Sequence, residues 1–145
     1  MRYLLIILAL CAASACFAAE DNAPPQLRGL ALAPVVIHTS AAAQDVTATL
    51  TVTDSLTGFR NGLIILSGPA GQRTMVSFAT ANRTAGTANN GTYRVVIPWP
   101  QYSPTGEWAV HSVSLSDVIG NTRIYRMPDA GLVNVITGYS TVHTY

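Results

Sequence analysis

Over residues 45–53 the chain alternates strictly, with Val46, Ala48, Leu50 and Val52 on one face and Thr47, Thr49, Thr51 and Thr53 on the other. Period-two alternation with a β-branched hydroxyl face predicts a half-buried strand. Tyr93, Val95 and Ile97 alternate with Thr92, Arg94 and Val96 in the same way, while residues 63–66 form a continuous apolar run. Such a run fits a strand covered on both sides. The whole pattern predicts strands at 27–32, 35–39, 45–53, 59–67, 73–80, 92–98, 107–116 and 121–126. Turn signals separate them, among them Gly68-Pro69-Ala70-Gly71, Ser103-Pro104-Thr105-Gly106 and Ile119-Gly120-Asn121. Asn90-Gly91 reads as the best hairpin centre, because both residues tolerate positive φ.

One strand breaks parity. Trp108 and Val110 share a face, but Val113 and Leu115 fall on the other. A bulge around His111 and Ser112 returns all four to the core side. After Pro128, residues 129–136 predict one or two helical turns with Asp129 near the amino end. Gly138 ends them, and residues 139–145 predict a final strand. Helical periodicity is otherwise nearly absent, and no repeat, linker or low-complexity block appears. The expected fold class is therefore all-β: one immunoglobulin-like antiparallel sandwich with a short helical turn before the last strand.

The amino terminus obeys different rules. Met1-Arg2-Tyr3 is a short basic start, residues 4–15 are an apolar run, and Cys16-Phe17-Ala18 offers small residues, Cys16 and Ala18, at the third and first positions before a cut. This is the layout of a secretory signal. The run is shorter than the ~20 residues a membrane-spanning helix needs, and no second such run follows, so no membrane span is expected in the mature form. The expected division is a signal peptide over 1–18 and one domain over 19–145, exported to the periplasm, the cell surface or the medium. Both cysteines, Cys11 and Cys16, fall within the leader, which leaves a mature chain without a thiol or disulfide. The alternative is a lipoprotein with Cys16 as its first residue, but Ala13 stands where such sites usually carry Leu.

Charge narrows the partners. The chain holds no lysine, and charged residues make up only 10% of it, with a formal net charge of +1. No basic face exists to neutralise a phosphate backbone, so nucleic acid is not an expected partner.

A resemblance joins these pieces. Ala23-Pro24-Pro25-Gln26-Leu27, the Thr-rich strand ending Val52-Thr53-Asp54, Asn90-Gly91-Thr92-Tyr93, Pro100-Gln101-Tyr102, Gly106-Glu107-Trp108 and Ser116-Asp117-Val118-Ile119-Gly120-Asn121 occur in that order. Together they resemble the bacterial immunoglobulin-like modules of secreted and cell-surface proteins. The resemblance covers nearly all of the mature chain. It implies a sandwich fold and says little of function, since such modules serve as spacers, adhesin units and appendages of hydrolases.

Candidate chemistry is sparse. His38, His111 and His143 match no metal or triad spacing, and no nucleophile elbow, zinc-protease or phosphate-loop motif is present. The expectation is a non-enzymatic binding or structural module whose partner is a protein or a glycan. Tyr93 and Trp108 have core parity, whereas Trp99, held between Pro98 and Pro100, reads as off the alternation and exposed. Trp99 with Tyr102 is thus the candidate sugar-stacking surface. The tail at 139–145 offers a further alternative, an edge strand that pairs with a neighbouring subunit.

The carboxylates form the remaining candidate site. In an immunoglobulin-type sandwich the start of the first strand and the loops after the second and penultimate long strands share one end. Those places hold Asp21, Asp54 and the corner Asp117 to Asn121. Crowded carboxylates repel one another, which favours a cation between them, and calcium suits an irregular shell of oxygens. The competing reading is local: Asp and Asn cap turns by accepting from nearby backbone N–H groups.

Overall fold

The computed structural model describes residues 20–136, 138 and 141–145. The predicted signal over 1–18, with Cys11 and Cys16, lies outside them. Ten strands follow in chain order: β1 Gln26–Ala33, β2 Val36–Ile37, β3 Gln44–Thr53, β4 Phe59–Ser67, β5 Arg73–Ala79, β6 Arg83–Gly86, β7 Asn90–Trp99, β8 Gly106–Asp117, β9 Thr122–Arg126 and β10 Thr141–Thr144. One helical turn, α1 Ala130–Val133, lies between β9 and β10.

The strands form two sheets, ordered β1-β3-β7-β6 and β2-β10-β8-β4-β5, with β9 also paired to β8. This is the strand order of an immunoglobulin-type sandwich. Alternation decides the inner faces. Val46, Ala48, Leu50 and Val52 of β3 face Ile64, Leu66, Trp108, Val110, Val113 and Leu115 of β4 and β8, all of them buried. Burial of aliphatic and aromatic side chains at roughly 1.5–3 kcal/mol each supplies the main drive for folding.

The parity break in β8 is a bulge. Ile65 pairs with Ser112 and Leu66 with Val110, so His111 is the extra residue, and Trp108, Val110, Val113 and Leu115 all point inward. The bulge also divides one edge of β8 between two partners. β10 pairs with residues 106–109 and β9 with residues 112–116.

Several expectations need correction. Trp99 is not exposed: it follows Tyr93, Val95 and Ile97 in the same parity and is only 2% accessible. Pro98 occupies an outward position, so the alternation passes straight through it. The β6–β7 hairpin is real, but Asn90 and Gly91 open β7 rather than forming the turn. Gly86 takes the positive φ of +76°, and Thr87 N–H donates to Asn90 O at 2.8 Å. Gly91 is required for close approach, because a Cβ there would stand 2.5 Å from Thr87 O. The short, fully exposed β6 has no apolar periodicity, and sequence reasoning missed it. The carboxy-terminal strand is not an open edge. It lies between β8 and β2, antiparallel to the first and parallel to the second, and Val142 is fully buried. Edge-to-edge pairing through this tail would require it to leave places already filled.

Candidate functional site

At one end of the sandwich four chain segments meet: the approach to β1, the β3–β4 loop, the β6–β7 turn and the β8–β9 corner. Each is held by a short polar side chain acting on nearby backbone. Asp117 is fully buried. Its Oδ1 accepts from the amides of Ile119, Gly120 and Asn121 at 3.0, 2.6 and 2.8 Å. Its Oδ2 accepts from Asn121 Nδ2 at 2.8 Å. The same nitrogen donates to the main-chain oxygen of Asp21 at 2.8 Å, which ties the corner to the amino-terminal segment.

Asp54 repeats the device in the β3–β4 loop. Its Oδ1 accepts from the amides of Leu56 at 3.2 Å and Gly58 at 2.8 Å. Gly58 sits at φ +86°, and its carbonyl accepts from Val118 N–H at 3.2 Å, joining this loop to the β8–β9 corner. Asn89 braces the loop from the other side, donating to Leu56 O at 3.1 Å. Asp54 itself is 8% accessible, and its Oδ2 is buried with no hydrogen-bond partner.

Asp21 completes the set. Its Oδ2 accepts from the Thr57 amide at 2.8 Å and hydroxyl at 2.7 Å, and its Oδ1 from Ala23 N–H at 3.1 Å. Thr57, first through its hydroxyl and then its amide, holds the Asp21 carboxyl below its usual range. The structure thus brings together Asp21, Asp54 and Asp117, each offering a carboxylate oxygen within 4.8 Å of the others. Asn121 belongs to the same corner, with its amide nitrogen turned toward Asp117 and Asp21. Among the described residues this is the only group of three or more acidic, His or Cys side chains so placed, and the three histidines do not form one.

The aromatic candidates differ in exposure. Trp99 packs edge to face against Trp108 in the core and is only 2% accessible, so it forms part of the wall of the cleft that Tyr102 borders rather than an exposed stacking platform. Tyr102 is 77% accessible and lies at the end opposite the carboxylates, between clefts of about 330 and 280 Å³. Tyr145 borders the second of these and stacks on His38 with ring centroids 5.5 Å apart. Sequence reasoning missed the apolar rim of the carboxylate pole. Leu56, Val118 and Ile119 are each more than half exposed, at 52, 53 and 57%. Their position between turn residues was the available signal, since an aliphatic side chain at a loop tip has no core to enter.

Fold and site define an all-β sandwich with three buried carboxylates under a loop pole rimmed by aliphatic side chains. A family described as a domain of unknown function (DUF7035) matches residues 20–142, and the chain belongs to that family. No curated protein matches it.

Proposed function

We propose that the protein is an exported, non-enzymatic immunoglobulin-like module that binds a protein partner through its carboxylate-end loops, at the cell surface or in the periplasm. The observation that carries this reading is the exposure of Leu56, Val118 and Ile119 on two loops that are themselves held rigid. Exposed aliphatic side chains on a fixed scaffold mark contact surfaces, because a loop already braced has less backbone ordering entropy to lose on binding. The secretory layout of residues 1–18 supports export. The bonding of Asp117 supports a structural role for that residue, since its carboxylate is engaged in shaping the β8–β9 corner by accepting from three amides and Asn121.

Two measurements test it. Exported material should have the mass of residues 19–145, and a mass retaining the leader, or a lipid on Cys16, would overturn the signal assignment. Purified protein should be retained on envelopes of its source cells, and the combined variant Leu56→Ser, Val118→Ser, Ile119→Ser should lose that retention while melting normally. Equal retention of parent and variant would overturn the loop pole as the binding surface.

A second reading has its own support. Tyr102, exposed between two clefts lined by Gln101, Ser103 and Thr105, suits stacking on a glycan with hydroxyl hydrogen bonds at its rim. A glycan array with the parent and Tyr102→Ala decides between them.

A further inference from the structure

We infer that Asp21, Asp54 and Asp117 bind a calcium ion that fastens the amino-terminal segment to the β3–β4 and β8–β9 loops. This stands independently of the partner proposed above.

Two observations carry it. The first is the cluster: three carboxylates, 5, 8 and 0% accessible, with oxygens within 4.8 Å of one another. Among the described residues no arginine or histidine forms an ion pair with them. Their mutual repulsion is strongest where water is excluded. The second is the bare oxygen of Asp54. Turn capping explains Oδ1, which takes the Leu56 and Gly58 amides, but leaves Oδ2 buried and unpartnered. A carboxylate oxygen taken from water without a partner carries a heavy desolvation cost. Its carboxyl is one of the three that contribute to the cluster, so one cation relieves both the repulsion and the unpaired oxygen.

The donors indicate which cation. All are oxygens, with neither His nor Cys in the group, which disfavours zinc and the later transition metals. Calcium accepts about six to eight oxygens at roughly 2.3–2.6 Å in irregular geometry, so ligands on opposite sides stand about 4.6–5.2 Å apart. Magnesium demands a near-ideal octahedron at about 2.0–2.1 Å and sheds water reluctantly. These carboxylates are tied to loop amides, which favours an ion that tolerates irregular geometry over one that demands an octahedron. A cleft of about 240 Å³ lined by Ala23, Thr53, Asp54 and Ser55 gives a way in. Arg28 also lines that cleft, with its Nε donating to Thr53 Oγ1 at 3.1 Å. Its like charge weakens binding and points to a dissociation constant of about 0.1–1 mM, the range of extracellular modules.

Calorimetric titration and thermal melts of the purified protein, with chelator, CaCl2 or MgCl2, test the site. Calcium should bind with that affinity and raise Tm by about 4–6 °C at a tenfold excess over Kd. Asp54→Asn keeps the Oδ1 acceptor for both amides but removes the charge, and should weaken calcium binding at least tenfold. In chelator it should melt no lower than the parent. Should that variant fail to fold, Asp21→Asn, on the segment outside the strands, should show the same loss. Absence of calcium binding by the parent at several millimolar, an equal response to magnesium, or parent-like calcium binding by a folded variant would each overturn the site.

Discussion

Trp99 of β7 and Trp108 of β8 meet edge to face across the two sheets, their ring centroids 6.1 Å apart and their planes at 87°. Both are buried, so each truncation empties a large volume between the sheets. Trp99→Ala and Trp108→Ala should each cost about 3–5 kcal/mol in urea melts. The double variant should fall short of additivity by about 0.5–1.5 kcal/mol, the coupling of an aromatic pair. A small cost for Trp99 alone would place that ring outside the core.

Gly68 lies against the same ring. A Cβ added there would stand 2.4–2.6 Å from Trp108 ring atoms, which the indole cannot avoid without leaving its site against Trp99. Gly68→Ala should therefore cost about 1–3 kcal/mol and change the near-ultraviolet circular dichroism. Gly71→Ala meets no atom within 4 Å but has φ +77°. It should destabilise by backbone strain of about 1 kcal/mol with the tryptophan signal intact.

Thr57 gives the carboxylate pole a pH signature. The folded pKa of Asp21 lies below its usual value of 3.8, held down by the Thr57 hydroxyl and amide. A depressed folded pKa contributes stability that is present above the unfolded pKa and is lost as pH falls through the folded one. In chelator, the urea midpoint of the parent should drop on acidification below about pH 4. Thr57→Val, which removes the hydroxyl donor, should show a shallower drop. Parallel curves for the two would mean that this hydroxyl does not set the Asp21 pKa.

Tyr93 presents the opposite case. Its ring packs at 4.7 Å from Phe59 in an edge arrangement, and its hydroxyl is buried without a well-aligned hydrogen bond, Arg83 being the polar side chain that acts on it. Burial raises the phenol pKa, against a weaker opposing pull from Arg83. Tyr93→Phe keeps the ring and removes the unsatisfied group, so its stability should equal or exceed the parent's by up to about 1 kcal/mol. A measured loss of that size would reveal a partner for the hydroxyl.

The sandwich was legible wherever an inner face alternates with an outer one. β4 was bounded correctly at 59–67, and the His111 bulge followed from parity alone. Legibility failed where local chemistry misleads. Pro98 and Pro100 suggested that β7 stops before Trp99, yet an outward-facing proline does not interrupt the inner face. β6 buries nothing, so no hydrophobic pattern could mark it. The convergence of Asp21, Asp54 and Asp117 was legible from topology, because all three occupy connections at one end of the fold. The bare Oδ2 of Asp54 was not, since it depends on which carboxyl oxygen the loop amides select.

β10 has a mechanical consequence. The described chain enters at the carboxylate end through residues 20–25 and reaches Tyr145 at the opposite end, where Thr144 pairs with Gly106 and with Ile37. A pull between residues 20 and 145 therefore runs along β1 and β10 rather than across them. Their ladders with β3, and with β8 and β2, are loaded in shear, so several hydrogen bonds must yield together instead of unzipping in turn. Single-molecule extension between those two residues should give a high rupture force, and attachment at residues 20 and 87, on neighbouring loops of the same end, a low one. Similar forces from the two geometries would show that the ladder directions do not govern resistance to load.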